Sequence, residues 1–371
     1  MRAETRVALL PWMVAGVRTQ YENMRLVAAP MGMTVDTYPI VPYHEGGLVE
    51  RLPLLRSSQK GTVRSTLHTL PLFTSAAYDA VWTQALLPLL PFAAACDARL
   101  KRLPAIVYTI DTTPALMDPW TPIYYNRPPA GPAKRGLRDL LHRYLLRHCA
   151  AVTPWSRWAA RSFVRDYGVP EERIHVIPPG VDLARWSVPG GRGAEGEAGA
   201  RPFRLLFVGA DFARKGGPLL LDVYRTHLRE SCALYLVTKG PVAEEPGVHV
   251  YRGFAPNEPA LHELYEGCDA LVLPTRADCY SLASIEAMAC GLPVISCPVG
   301  GIPEIVAHGE TGYLAPPDDG YALLAAVRAL VDDRGRAVGM GLAGRRVAER
   351  RFDNSRNAAA LFDLITARAA P

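Results

Sequence analysis

Two acidic residues, Asp278 and Glu286, stand eight positions apart where an apolar run gives way to a helical pattern, in Leu271-Val272-Leu273-Pro274-Thr275-Arg276-Ala277-Asp278-Cys279-Tyr280-Ser281-Leu282-Ala283-Ser284-Ile285-Glu286. The run stops at Pro274, which cannot donate to a sheet ladder, and a helix is expected to begin near Ser281. Asp278 then lies in the loop above a strand end and Glu286 on the helix that follows. Two ionised carboxylates so placed can accept hydrogen bonds from the hydroxyls of a sugar or a ribose diol. The amides of Tyr280, Ser281 and Leu282 at the expected helix start, with Cys279 just before them, suit a phosphate. The plainer alternative for Asp278 is a loop acid that caps the helix.

A second segment, Phe207-Val208-Gly209-Ala210-Asp211-Phe212-Ala213-Arg214-Lys215-Gly216-Gly217, ends a strand at Gly209 and brings Arg214 and Lys215 to a helix start. Cations beside free amides suit a diphosphate, or else form an ordinary turn with two solvated bases. Cys290-Gly291-Leu292-Pro293-Val294 and Val299-Gly300-Gly301-Ile302-Pro303-Glu304 follow as glycine-containing turns. Gly16, in the loop expected after the first strand, allows a phosphate close to the backbone or merely turns the chain. Asp111 ends another strand, where an acid often only caps a helix; a sugar or acceptor contact there is what the family resemblance described below implies.

These residues need strands to carry them. Short apolar runs alternate with helical patterns, and the strand candidates are Val7–Leu10, Val35–Ile40, Ala80–Thr83, Ile106–Ile110, Ala150–Thr153, Ile174–Ile177, Phe203–Val208, Leu234–Val237, Val248–Tyr251, Ala270–Leu273 and Pro293–Ser296. Strand–helix–strand steps imply parallel sheets, and ligands of such sheets bind beyond the carboxyl ends of strands. The glycine-rich stretch between Pro189 and Arg201 has no apolar period and reads as a linker. The expected organisation is α/β, two Rossmann-like doubly wound domains facing a cleft: 1–186, a linker at 187–202, 203–352, and a C-terminal helix in 353–371, which the family resemblance described below implies crosses back to the first domain.

The 371 residues are 49% hydrophobic, enough for two cores. Seven scattered cysteines without a C-x-x-C pair argue against a disulfide framework or zinc knuckle and for a reducing, cytoplasmic setting. No stretch is long and apolar enough to span a bilayer, and Val7–Leu10 reads as a buried strand rather than part of a signal peptide. The net charge of +5 divides into +8 over residues 1–190 and −3 over the rest. Much of the basic excess sits on an expected helix at 133–148, whose Lys134, Arg135, Arg138, Arg143 and Arg147 fit either solvent or an anionic membrane surface at the inner face. Neither a zinc-finger spacing nor an aromatic–basic RNA signature is present, so nucleic acid is not an expected partner.

Taken together, Asp278-x7-Glu286, Glu286-Ala287-Met288-Ala289-Cys290-Gly291-Leu292-Pro293-Val294 and Gly300-Gly301-Ile302-Pro303-Glu304 resemble the core motifs of the family 4 retaining glycosyltransferases of GT-B fold. Val152-Thr153-Pro154-Trp155-Ser156 and Ile177-Pro178-Pro179-Gly180-Val181-Asp182 resemble two further family signatures, so the resemblance covers about residues 145–315. It implies a retaining hexosyltransferase that takes a UDP- or GDP-sugar and delivers the sugar to a sugar, lipid-linked or small-molecule hydroxyl. No cofactor or metal is expected, and no D-x-D triplet occurs. Residue by residue, the resemblance implies that Glu286 holds the ribose diol and that Lys215 and Arg214 bind the diphosphate. Asp278 would face the sugar hydroxyls, and the amides of Tyr280 to Leu282 would cap phosphate and sugar. Three departures stand out: Asp278 replaces a glutamate, Ala210 the usual arginine, and Pro179 an asparagine. The alternatives are an epimerase or phosphorylase on the same fold, or a non-catalytic nucleotide-sugar binder.

Overall fold

The computed structural model describes residues 5–13, 15–28, 33–40, 49, 57–69, 72, 78–97, 104–188, 201–255 and 257–369. The body of the expected linker, residues 189–200, lies outside them. The chain divides into two compact units. The first comprises residues 1–119, 129–179 and 354–371; the second comprises 120–128 and 180–353.

The first unit carries β1 (Arg6–Leu10), β2 (Thr34–Thr37), β3 (Ala80–Thr83), β4 (Ala105–Ile110) and β5 (Cys149–Pro154). They form one parallel sheet in the order β2-β1-β3-β4-β5. Near-continuous apolar runs such as Val7–Leu10 are what a sheet covered on both faces requires. One face gathers Ala8, Val81, Tyr108 and Val152, and the other gathers Val7, Leu9, Trp82 and Val107. The helix Asn354–Ala369 lays Ala358, Leu361, Phe362 and Ile365 on the second face, and the Asn354 Nδ2 donates to Asn23 O at 2.8 Å. Ile174–Ile177, expected as a strand, is instead an extended segment with one bridge, Val152 to Ile174. Pro178 and Pro179 follow directly and remove the donors that a longer ladder would use.

The second unit carries β6 (Phe203–Val208), β7 (Cys232–Val237), β8 (Val248–Tyr251), β9 (Ala270–Leu273), β10 (Val294–Ser296) and β11 (Gly312–Leu314), all parallel, in the order β11-β10-β9-β6-β7-β8. β11 was not expected as a strand, because three residues opening on a glycine carry no period. Its core includes Phe203, Leu205, Phe207, Leu234, Leu236, Val272 and Ile295. The unit's long segment closes on itself where it begins and ends: Val181 N donates to Phe352 O at 2.9 Å, and Val181 bridges Asp353 in parallel.

Both sheets reverse their build order at one place. The strands after β6 step outward to β7 and β8, whereas β9 returns to the other side of β6 and leads on to β10 and β11. The ends of β6 and β9 therefore mark the topological switch point, outside which ligands of such sheets bind. The same reversal lies between β1 and β3 in the first unit. There the ends are closed by neutral groups: Trp12 N donates to Gln84 Oε1 at 3.0 Å, and Gln84 Nε2 donates to Gln20 Oε1 at 2.9 Å. Gln20 Oε1 also accepts from Trp155 Nε1 at 3.1 Å, and both glutamines are buried.

Candidate functional site

The residues with chemistry to offer sit at the β6/β9 reversal. β6 ends at Val208, and the loop after it delivers Arg214 and Lys215. β9 ends at Leu273, and the loop after it delivers Asp278. One backbone bond and one side-chain bond fasten the two loops to each other: Arg276 N donates to Arg214 O at 3.0 Å, and Arg214 Nη1 donates to Ala277 O at 2.8 Å. Lys215 Nζ is ion-paired with Asp278 Oδ2, both side chains being largely buried.

Two glycines make this approach possible. Gly216 has φ +78°, and a Cβ there would stand 1.9 Å from Pro274 O. Gly300 has φ +57°, and a Cβ there would stand 2.1 Å from Asp278 O. Only glycine meets both the left-handed backbone and the missing space. The Gly300–Gly301 turn then binds the acidic loop through Gly301 N to Cys279 O at 2.9 Å. Gly209 is similarly close, since a Cβ there would lie 3.0 Å from Lys215 Cγ.

The helix expected near Ser281 spans Leu282–Ala289. Ser281 is its N-cap and accepts from Ser284 N at 3.3 Å, which stops the chain from fraying. Of the first-turn amides, Ser284 N is taken by the Ser281 hydroxyl, whereas those of Leu282 and Ala283 have no intrahelical partner. Asp278 itself does not cap the helix; its carboxylate is engaged by Lys215. One turn further on, Glu286 is 9% exposed and accepts from the Tyr265 hydroxyl at Oε2, 2.8 Å away. Burial raises the Glu286 carboxyl to about 7, against the lowering effect of that hydrogen bond. Burial also lifts the Tyr280 phenol above its ordinary range.

Arg214 is held on three sides. Besides Ala277 O it pairs with Asp211 at 3.3 Å, and its guanidinium lies 4.2 Å from the centroid of the Tyr124 ring. Tyr124 in turn shares a hydrogen bond with the Cys279 sulfur at 3.6 Å, and burial raises its phenol. A cation stacked on an aromatic face and bonded through its edge is fixed in direction.

Gly209, Arg214, Lys215, Asp278, Cys279, Tyr280, Ser281, Leu282 and Glu286 thus all stand in the second unit. Gly16 and Asp111 stand in the first. Gly16 lies in the first turn of the helix Ala15–Ala28 rather than in a loop. Asp111 follows β4 directly, and the helix cap there is Thr113, which accepts from Leu116 N at 3.4 Å. Sequence reasoning missed Tyr265 and Tyr124. Tyr265 carries only the signal of a core residue beside Leu261, and Tyr124 belongs to a nine-residue segment that lies far away along the chain. Among the described residues no group of three His, Cys, Asp or Glu is arranged to hold a metal ion, and no helix is long and apolar enough to cross a membrane.

Residues 30–185 match the family model described as Glycosyltransferase Family 4, and residues 202–333 match that of Glycosyl transferases group 1. A D-inositol 3-phosphate glycosyltransferase from Xylanimonas cellulosilytica is 31% identical over 237 residues, covering 58% of this chain and 56% of that protein. One of the same description from Nocardia farcinica is 32% identical over 204 residues, covering 49% and 45%. The chain spans about half the length of the curated relatives it matches. Among solved structures, a sucrose-phosphate synthase from Thermosynechococcus elongatus superposes with a TM-score of 0.75 at 19% identity, covering 97% of this chain and 98% of that one. HepE from Anabaena in complex with UDP-glucose gives 0.69 at 16% identity, covering 98% and 100%. The fold is GT-B, with two parallel α/β sheets as expected.

Proposed function

The chain belongs to the family 4, or group 1, glycosyltransferases, and from that premise we propose that it moves a sugar from a nucleoside-diphosphate donor to a hydroxyl acceptor, with retention of configuration and without a metal. The observation that carries the reading is the convergence of Lys215, Arg214, Asp278, Glu286 and a helix N-terminus on one strand reversal. Those groups match the parts of a nucleotide sugar in kind: carboxylates for diols, cations and amides for phosphate.

The bond that breaks joins the anomeric carbon of the sugar to an oxygen of the diphosphate. Negative charge gathers on that oxygen as the bond opens. Lys215, Arg214 and the amides of Tyr280 to Leu282 oppose it, and donors fixed in advance need no reorganisation when the charge appears. Asp278 fixes the ammonium of Lys215 and offers its other oxygen to sugar hydroxyls. Glu286 accepts from the ribose diol. On the first unit, Gly16 is assigned to backbone approach by phosphate and Asp111 to a hydroxyl of sugar or acceptor. UDP- and GDP-sugars are the proposed donors; a UDP-glucose complex of a protein with the same fold favours the former.

The setting is proposed to be cytoplasmic, in keeping with six buried free cysteines among the described residues. A contact with the inner face of a membrane is proposed for the helix Pro132–Arg147. Leu137 and Leu140 are 59% and 60% exposed there, on the helix that carries Lys134, Arg143 and Arg147.

The test is a thermal-shift screen of UDP-, GDP- and ADP-sugars, followed by turnover with the donor that stabilises the protein. A transferase releases nucleoside diphosphate only with acceptor and keeps its rate in EDTA. An altered sugar still attached to nucleotide identifies an epimerase, and binding without release in any acceptor identifies a binder.

A further inference from the structure

Glu286 spends one carboxylate oxygen on the protein and keeps the other. Tyr265, on the helix Pro259–Gly267, donates its hydroxyl to Oε2 at 2.8 Å, and Oε1 has no donor among the described residues. The phenol sits in a stiff socket. It is fully buried, with its ring edge-on to Trp186 at 5.2 Å and 87°. Arg345 donates to Trp186 O and, at 2.7 Å, to Ala289 O, the last residue of the helix that carries Glu286. One guanidinium therefore fastens the wall of the socket to the helix whose acid the socket serves.

We propose that Tyr265 is a positioning residue of the nucleotide site: its hydroxyl fixes Oε2 of Glu286 and presents Oε1 as the acceptor for a vicinal diol. This rests on the reading that Glu286 receives the ribose. The hydroxyl also governs charge. A diol donates better to a carboxylate than to a carboxylic acid. Burial drives this acid toward its neutral form near neutral pH, and the Tyr265 hydrogen bond opposes that drive. The surrounding elements supply few competing charges. His262, Glu263 and Glu266 lie on the Tyr265 helix, and His262 pairs with Glu266 at 3.5 Å. Arg345 and Glu349 pair at 2.7 Å on the helix Arg334–Arg351, which also carries Arg346. Cys268 and Cys290 are buried nearby, while β9 and β10 bring no titratable side chain. Affinity for a nucleotide should then fall in acid, with a midpoint that burial raises and the Tyr265 hydrogen bond lowers.

The test is calorimetric titration with UDP of the full chain, Tyr265→Phe and Glu286→Gln between pH 6 and 8.5. Phenylalanine fills the same socket. If its loss of the hydrogen bond lifts the midpoint by about one unit, Tyr265→Phe binds about fivefold more weakly than the parent at pH 7 and within about twofold at pH 8.5. Coincident curves, or a loss that is the same at every pH, overturn the proposal. Should Glu286→Gln bind UDP as the parent does, the ribose reading fails instead. The carboxyl of Glu286 is therefore also titrated by carbon-13 NMR, assigned by Glu286→Gln. Its midpoint must rise in Tyr265→Phe whether or not UDP binds, and an unmoved midpoint rejects Tyr265's role.

Discussion

The two strand reversals of this molecule share a topology and differ in what fills them. At β1/β3 the strand ends are closed by neutral side chains, Gln84 and Gln20, that bond to Trp12, to Trp155 and to each other. At β6/β9 the ends carry Lys215, Asp278 and Arg214, with Glu286 on the helix behind. A closed neutral network meets the cost of burying polar groups and does little else. Largely buried charges and a half-used carboxylate are costly to keep, and the proposed donor would account for them. The two reversals share a topology, and the side-chain charge at β6/β9 is what favours it as the proposed place for donor phosphate and ribose.

The contrast can be broken most directly at Lys215. Lys215→Ala should lower kcat by about 10²–10³ while donor affinity falls far less. Equal losses in both, from steady-state rates and calorimetry, would confine the lysine to ground-state binding. Glu286→Ala should weaken nucleotide binding by about tenfold to a hundredfold, the range for a hydrogen bond to a charged group; an unchanged Kd removes the ribose assignment.

The same acid sharpens the contrast through stability. Its folded midpoint of about 7 lies above the ordinary 4.5, so folding favours the protonated form. That stabilisation is complete below about pH 4.5 and is lost as pH rises through 7. Glu286→Gln should therefore gain on the parent between pH 5 and pH 8, by up to about 3 kcal/mol in denaturant unfolding. A difference independent of pH would mean that the burial cost has been misplaced. Smallest is the effect at the first reversal. Gln84→Ala should cost about 1–3 kcal/mol of stability and leave donor Kd within about twofold. A loss of donor binding comparable to that of Glu286→Ala would make the two reversals equal partners.

Much of this was legible in the residues. Runs such as Phe203–Val208 and Ala270–Leu273 read as buried strands because nothing polar interrupts them, and both are strands. Ser281 announced its helix through cap chemistry that acts within four residues. The errors were all of context. Ile174–Ile177 is apolar enough for a strand but lacks ladder donors beyond it, and Gly312–Leu314 forms a strand only because β10 lies alongside. The pairing of Tyr265 with Glu286, and of Tyr124 with Arg214, depends on packing between segments distant in sequence. No local pattern encodes either.

The bond from Val181 N to Phe352 O has a consequence for how such proteins can be recombined. A segment whose two ends are stitched together resembles a cassette: it can be lifted from one scaffold and inserted into another through a single seam. If the proposed donor site is right, exchange of residues 180–353 between relatives is the natural way to trade donor preference. Yet Tyr124, beneath Arg214, lies outside that seam in the separate stretch 120–128. A chimera that swaps the cassette alone would set a foreign arginine loop on a native tyrosine, so a faithful transplant must carry both pieces.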